Sequence, residues 1–332
     1  MYYLFYLFII IIVLIFIFKE EDFSNTKIKL DLGNFLCGYY HQLLLSILKQ
    51  VDFNINVFDI INNQIKIRYD YYNHIIEKND NLLMYDNGEF IQYLPVSIPF
   101  ENLKSYYLKL SESNITIDRL LQDRYSNELT WRINDSIDEK MHTIMKPLIH
   151  SIIDYALTKS GKKINVDTPI IHFRCSDTPF IRYDEYRLQK HCFFTKALEY
   201  IQNIKQTEYK NIIILSFINH YSNKDQASAC SNYVDSLIKY LENKYYVKIQ
   251  SKTSLEDFAT IFYAPASIST SGSFSFMSGF FGKGVFVSTT HGERCSDCSD
   301  QIFKGYNLDH NEAIDYYDTG TIIEQLKICP NI

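Results

Sequence analysis

Residues 169–180 read PIIHFRCSDTPF, an apolar run that ends in a cluster of chargeable side chains. Ile170, Ile171 and Phe173 supply a short buried strand, with His172 set among them. Arg174, Cys175, Ser176 and Asp177 follow at its carboxyl end. Working outward, the same rhythm recurs at NIIILSF (211–217), YVKIQ (246–250), SISTS (267–271) and GVFVSTT (284–290), each separated by a helix-length segment. Continuous apolar strands alternating with helices predict a parallel sheet covered on both faces. Residues 162–332 are therefore expected to form a doubly wound α/β domain.

The first half is read as another α/β unit, over 27–161. KIKLDLGN (27–34) gives an alternating strand followed by a Gly33-Asn34 turn, and FLCGYYHQLLLSILKQ (35–50) has apolar residues at helical spacing. A further helical run spans about Ser136 to Gly161, with Pro147 expected to bend or split it. Before this body, residues 2–18 (YYLFYLFIIIIVLIFIF) carry no charge. A helix needs about 17–25 apolar residues to cross the hydrocarbon, so 1–18 is expected to be a membrane anchor and 19–26 a polar stem. A cleaved signal peptide is the competing reading, but the stretch lacks a basic n-region and a small-x-small cleavage site. The expected location is a single-pass protein of an ER or Golgi type II kind, or of an equivalent host or viral membrane.

The net charge of −6 argues against a general nucleic-acid binder, because neutralising phosphates along a duplex needs a basic face. The cysteines are seven, an odd and scattered set that makes no disulfide framework. Cys295 and Cys298 form a C-x-x-C, but a structural zinc site wants a second ligand pair, and only His291 is near; a local disulfide or free thiols fit better. Asn114 and Asn134 open N-x-S/T tripeptides, which suit a lumenal chain and also arise by chance in an Asn-rich one.

In parallel α/β sheets ligands bind beyond the carboxyl ends of the strands. His172 and Arg174 share a face at such an end, and Asp177 lies in the loop after it. Arg174 can fork onto a phosphate and Asp177 can orient it. A buried Arg–Asp pair beside a core histidine is the alternative for any one of them alone. In SISTSGSFSFMSGFFG (267–282), Ser271 ends a strand, Gly272 permits a tight turn, and Ser273 is placed to cap a helix beginning at Phe274. A Ser-rich turn packing a small helix is the alternative there. Ser216, Asn219 and His220 follow the 211–217 strand and are either ligand contacts or loop residues bonded locally. Glu256 and Asp257 open a helix over 254–265 and read as residues that complement its dipole. The chain has no Walker phosphate loop, no G-x-S-x-G, no H-E-x-x-H and no Asp-x-Asp acidic pair, so no metal is required by its motifs.

IHFRCSD resembles the His-x-Arg-x-x-Asp motif of the α1,2-, α1,6- and protein O-fucosyltransferase superfamily. LDLGNFLCGYYHQLLLSI resembles that family's N-terminal Gly-Asn turn and helix, and ISTSGSFSFMSGFFG its late Ser/Thr-rich motif, in the same order. Cys175 stands where the α1,2 enzymes usually have a second arginine. The resemblance implies a GT-B arrangement of two facing Rossmann-like domains, and an inverting, metal-independent glycosyltransferase with no cofactor. Its donor would be GDP-fucose and its acceptor a glycan or glycoprotein hydroxyl. It further implies that Arg174 stabilises the leaving diphosphate, His172 contacts the nucleotide, and Asp177 holds the loop or the base. Ser271, Ser273 and Phe274 would touch the diphosphate and nucleoside. Asp184 and Glu185 are candidates for the general base. An anchored sulfotransferase and a catalytically degenerate transferase fold are the rival expectations.

Overall fold

The structure is a computed structural model that describes residues 32–55, 88–118, 136–173, 191–216, 224–269 and 272–288. The elements in order are α1 (Leu32–Lys49), β1 (Phe53–Asn54), α2 (Gly88–Ile91), β2 (Ser97–Ile98), α3 (Phe100–Glu112), α4 (Ser136–Lys159) and β3 (Ile170–Phe173). Then come α5 (His191–Lys205), β4 (Asn211–Ser216), α6 (Lys224–Leu241), β5 (Tyr246–Gln250), α7 (Ser254–Tyr263), β6 (Ala266–Ser269), α8 (Ser273–Ser275) and β7 (Val285–Ser288). α8 runs directly into a π-helical turn, Phe276–Phe280.

The expected α/β class is what forms. β3 to β7 make one five-stranded sheet in the order β5-β4-β3-β6-β7, and every pairing is parallel. β3, first in sequence, sits in the middle. The chain adds β4 and β5 on one side of it and then β6 and β7 on the other, so the strand order reverses between β3 and β6. That point is where the carboxyl ends of an open parallel sheet leave a crevice. Among the described residues of the first half, β1 and β2 are the strands, and they pair antiparallel. Of the segments on which a second α/β unit was read, 32–50 and 136–161 are described and helical over Leu32–Lys49 and Ser136–Lys159, while the strand expected at 27–31 lies outside the described residues, as do the expected anchor and stem. No helix among the described residues is long and apolar enough to cross a membrane.

Alternation along each strand gives the sheet two different faces. On one, Ile171, Ile212, Ile214, Ala266, Ile268 and Val287 pack against Phe193, Phe194 and Leu198 of α5 and Val234 and Leu237 of α6. On the other, Phe286 joins Phe258 and Phe262 of α7 and Phe276, Phe280 and Phe281 of the π-helical segment. The same core continues into Phe35, Tyr40 and Leu44 of α1, Leu103 of α3 and Met145 and Ile149 of α4. Polar contacts pin the join. Tyr263 Oη donates to Asp154 Oδ1 at 2.7 Å, and His150 stacks on Phe262 with ring centroids 4.9 Å apart. His150 Nδ1 is 2.8 Å from the Phe281 carbonyl, which can only accept, so Nδ1 carries the proton there.

Three local expectations are corrected or narrowed. The first helix begins at Leu32, so Gly33 and Asn34 belong to its first turn and do not form a turn ahead of it. α4 is not split: it continues through Pro147 to Lys159, with its core-facing residues Met141, Met145, Ile149 and Ile153 holding it on both sides of the proline. The third, at Ser273, concerns the site and is described below. α7, by contrast, starts as read. Thr253 caps it and Glu256 closes a capping box, while Asp257 turns inward to accept from Gln250 Nε2 at 3.0 Å and from the Lys252 backbone at 3.2 Å.

Candidate functional site

The site is built where β3 and β6 end side by side. His172 and Ser269 are direct register partners, both on the face that looks toward α7 and α8. Beyond Ser269 the chain turns through Gly272, whose φ of 111° and ψ of 153° are open to glycine and costly for any residue with a Cβ. α8 then begins, and Phe274 swings back over the sheet. Its ring lies 5.4 Å from that of His172 at an interplanar angle of 31°, and 5.5 Å from Phe258, edge-on at 83°. His172 and Phe274 are both half-buried. Together they form an aromatic ledge at the sheet's carboxyl edge.

Hydroxyls lock the turn. Ser269 Oγ donates to Ser275 Oγ at 2.6 Å, and Ser275 Oγ donates onward to the Gly272 carbonyl at 3.1 Å. Ser278 Oγ returns to the Phe274 carbonyl at 2.8 Å. Each of these protons stays inside the protein, so the serines shape the turn from within.

α1 reaches into the same place from the far end of the chain. Ser273 Oγ donates to Asn34 Oδ1 at 2.6 Å, across 239 residues of sequence. Next to Asn34, a Cβ on Gly33 would lie 2.3 Å from the Phe274 backbone nitrogen, so only glycine lets α1 approach this closely. This corrects the reading of Ser273 as a helix cap. Gly272 holds the cap position with no side-chain bond, the helix begins at Ser273 itself, and the Ser273 hydroxyl serves the contact with α1. A phosphate only accepts hydrogen bonds, so it can take the Ser273 proton only if Asn34 releases it.

Of the residues singled out from the sequence, the fold brings His172, Gly272, Ser273 and Phe274 together. Ser216 ends β4 next to them, in register with Phe173. Arg174, Asp177, Asn219 and Ser271 lie outside the described residues, as do His220, Asp184, Glu185, Cys295 and Cys298. Asn34 was read as part of a turn, and its bond to Ser273 was not foreseen. Phe258 was read only as one residue of a helix, and nothing local marks it as the backing for Phe274. Behind the ledge, Tyr40 Oη and His142 Nδ1 share a hydrogen bond of 2.9 Å in the full interior. Burial pushes the Tyr40 hydroxyl well above its ordinary range, so it stays protonated. Among the described residues no group of three or more His, Cys, Asp or Glu side chains is placed to hold a metal ion.

The arrangement offers an aromatic ledge and a glycine turn beside the strand end that Arg174 follows in sequence. Such a crevice suits a ligand with a planar or ring-shaped part joined to an anionic one. In comparisons with known proteins, the chain matches no family model, no curated protein and no solved structure.

Proposed function

We propose that the protein is a glycosyltransferase of the fucosyltransferase-like, GT-B kind, held to a membrane by its N-terminal segment. It transfers fucose from GDP-fucose to a hydroxyl of a glycan or glycoprotein. The observation that carries the reading is convergence. The three sequence stretches that resemble the family lie far apart in the chain, yet Gly33–Asn34, His172 and Gly272–Phe274 meet at one point. That point is the reversal of strand order, where this class of sheet binds its ligand.

The chemistry follows from charge. As the sugar–phosphate bond breaks, negative charge grows on the departing diphosphate, and Arg174, one residue past β3, stabilises it there. The acceptor hydroxyl attacks the anomeric carbon from the opposite side, inverting it, and gives up its proton to a general base. With the arginine supplying positive charge, this route needs no divalent ion.

The test is a thermal-shift panel of GDP, UDP, CDP and ADP on the full chain in detergent, with Arg174→Ala beside it. A ligand at about 100 times its Kd stabilises by roughly 2.7 kcal/mol. The expected result is a rise in melting temperature with GDP, much reduced in Arg174→Ala. No response to GDP, or an equal response in the variant, overturns the proposal.

A further inference from the structure

His41 lies on α1 two turns beyond Asn34. At about 100° per residue, Asn34, Gly38 and His41 fall within roughly 60° of one another on one helical face. Gly38 puts no side chain between the two polar residues. Helical side chains lean toward the helix N-terminus, so the imidazole leans back toward Asn34 and the turn that Asn34 holds. The two α-carbons differ by about 10.5 Å along the axis.

His41 is 2% exposed, and its Nδ1 has no hydrogen-bond partner in the protein. A buried polar atom left without a partner is rare in a folded protein and calls for a reason. By contrast, His142 Nδ1 meets Tyr40 Oη, and the half-buried His150 has its Nδ1 at the Phe281 carbonyl. His191 Nε2 is also unpartnered, but its ring is set against Tyr233 and Tyr240 on the opposite side of the sheet from His172.

We infer that His41 is a specificity-determining residue, whose Nδ1 accepts a hydrogen bond from a hydroxyl of the sugar carried on the nucleotide diphosphate. Burial holds its pKa down at about 4, so the ring is neutral at physiological pH. A neutral ring with Nδ1 as acceptor pairs with an O–H group and offers nothing to a phosphate oxygen at that atom. The inference rests on the transferase reading above and adds to it the residue that distinguishes the sugar nucleotide from the bare nucleotide.

The experiment compares GDP with GDP-fucose, by calorimetry, on the full chain in detergent as wild type, His41→Leu and His41→Asn. Leucine fills the space without an acceptor, and asparagine returns one near the Nδ1 position. The expected result is GDP affinity unchanged in all three. GDP-fucose should bind about tenfold more weakly to His41→Leu and within about threefold of wild type to His41→Asn. Unchanged GDP-fucose binding in His41→Leu overturns the inference, as does failure of His41→Asn to restore it. Equal loss of both ligands, or loss of folding in both variants, marks His41 as a structural residue and overturns it too. A wild type that binds neither ligand breaks the transferase reading itself, an outcome distinct from all of these.

Discussion

The two faces of the one sheet are built differently. Facing α5 and α6, the strands present Ile171, Ile212, Ile214, Ala266, Ile268 and Val287, with no polar side chain among them. On the opposite face, Ile170, Ile213, Leu215 and Phe286 share the surface with His172, Ser267 and Ser269. That second face also carries Gln250 of β5, bonded to Asp257 and Thr260 of α7, and Ser288 of β7, but His172 and Ser269 stand at the carboxyl ends of the two strands that flank the reversal of strand order. Chain stretches as distant as Gly33–Asn34 pack against that side and not the other. One face is therefore concerned with holding the sheet together, and the other gives up apolar area to make a site.

The most forceful way to break that division is to damage the apolar face. Phe194 is fully buried among the residues of α5, α6 and the sheet. Phe194→Ala should cost about 3–5 kcal/mol, by lost transfer energy and the cavity left behind. Urea unfolding would show this as a lower midpoint. Wherever the variant is still folded, its response to GDP should match that of wild type. A variant that folds but no longer answers to GDP would mean that the two faces are not separable.

A second effect, somewhat smaller, involves one histidine on each side. His41 and His191 are both held at about 4 by burial, against an ordinary 6.5. The folded pKa lies below the unfolded one, so protonation favours unfolding. The stability at stake is fully present above about pH 6.5 and is lost as pH falls from there toward 4. At roughly 1.4 kcal/mol per pH unit, each histidine accounts for on the order of 3 kcal/mol over that window. Denaturant titrations between pH 7 and pH 4 should show a steep loss in wild type. His191→Phe and His41→Leu should each remove about half of the histidine part. If one variant flattens the slope alone, only one side of the sheet senses acid.

The apolar face was the part most legible in the sequence. Runs such as IIIL (212–215) and VFV (285–287) announce buried strands, because only a sheet covered on both sides tolerates them. The strand ends of the site were legible too, since His172 and Gly272 interrupt such runs at their carboxyl termini. What could not be read was the partner of each. Ser273 carries every local mark of a helix cap, and the hydroxyl instead serves Asn34, a residue 239 positions away. Local pattern reports what a side chain can bond; the tertiary fold decides which partner arrives. Of the two outcomes expected at Pro147, splitting does not occur, because the packing of Met145 and Ile149 on either side holds the helix together where intrinsic propensity would break it.

The subtlest test concerns that long-range bond. Asn34→Ala and Ser273→Ala each remove one partner of a part-buried hydrogen bond, which is worth about 1 kcal/mol net. If the bond is what couples α1 to the glycine turn, the double variant should be no less stable than the worse single one, with a coupling of about 0.5–1.5 kcal/mol. Gly33 supplies the control. Its contact is with the Phe274 backbone, so Gly33→Ala should destabilise by roughly 1–3 kcal/mol through overpacking, whatever side chain stands at 274. A functional consequence should follow the bond and not the stability. Freed from Asn34, the Ser273 proton becomes available to an anion, so Asn34→Ala should bind GDP at least as tightly as wild type while melting lower. Weaker GDP binding in Asn34→Ala would instead place the asparagine itself against the ligand, and would move the edge of the site from the turn onto α1.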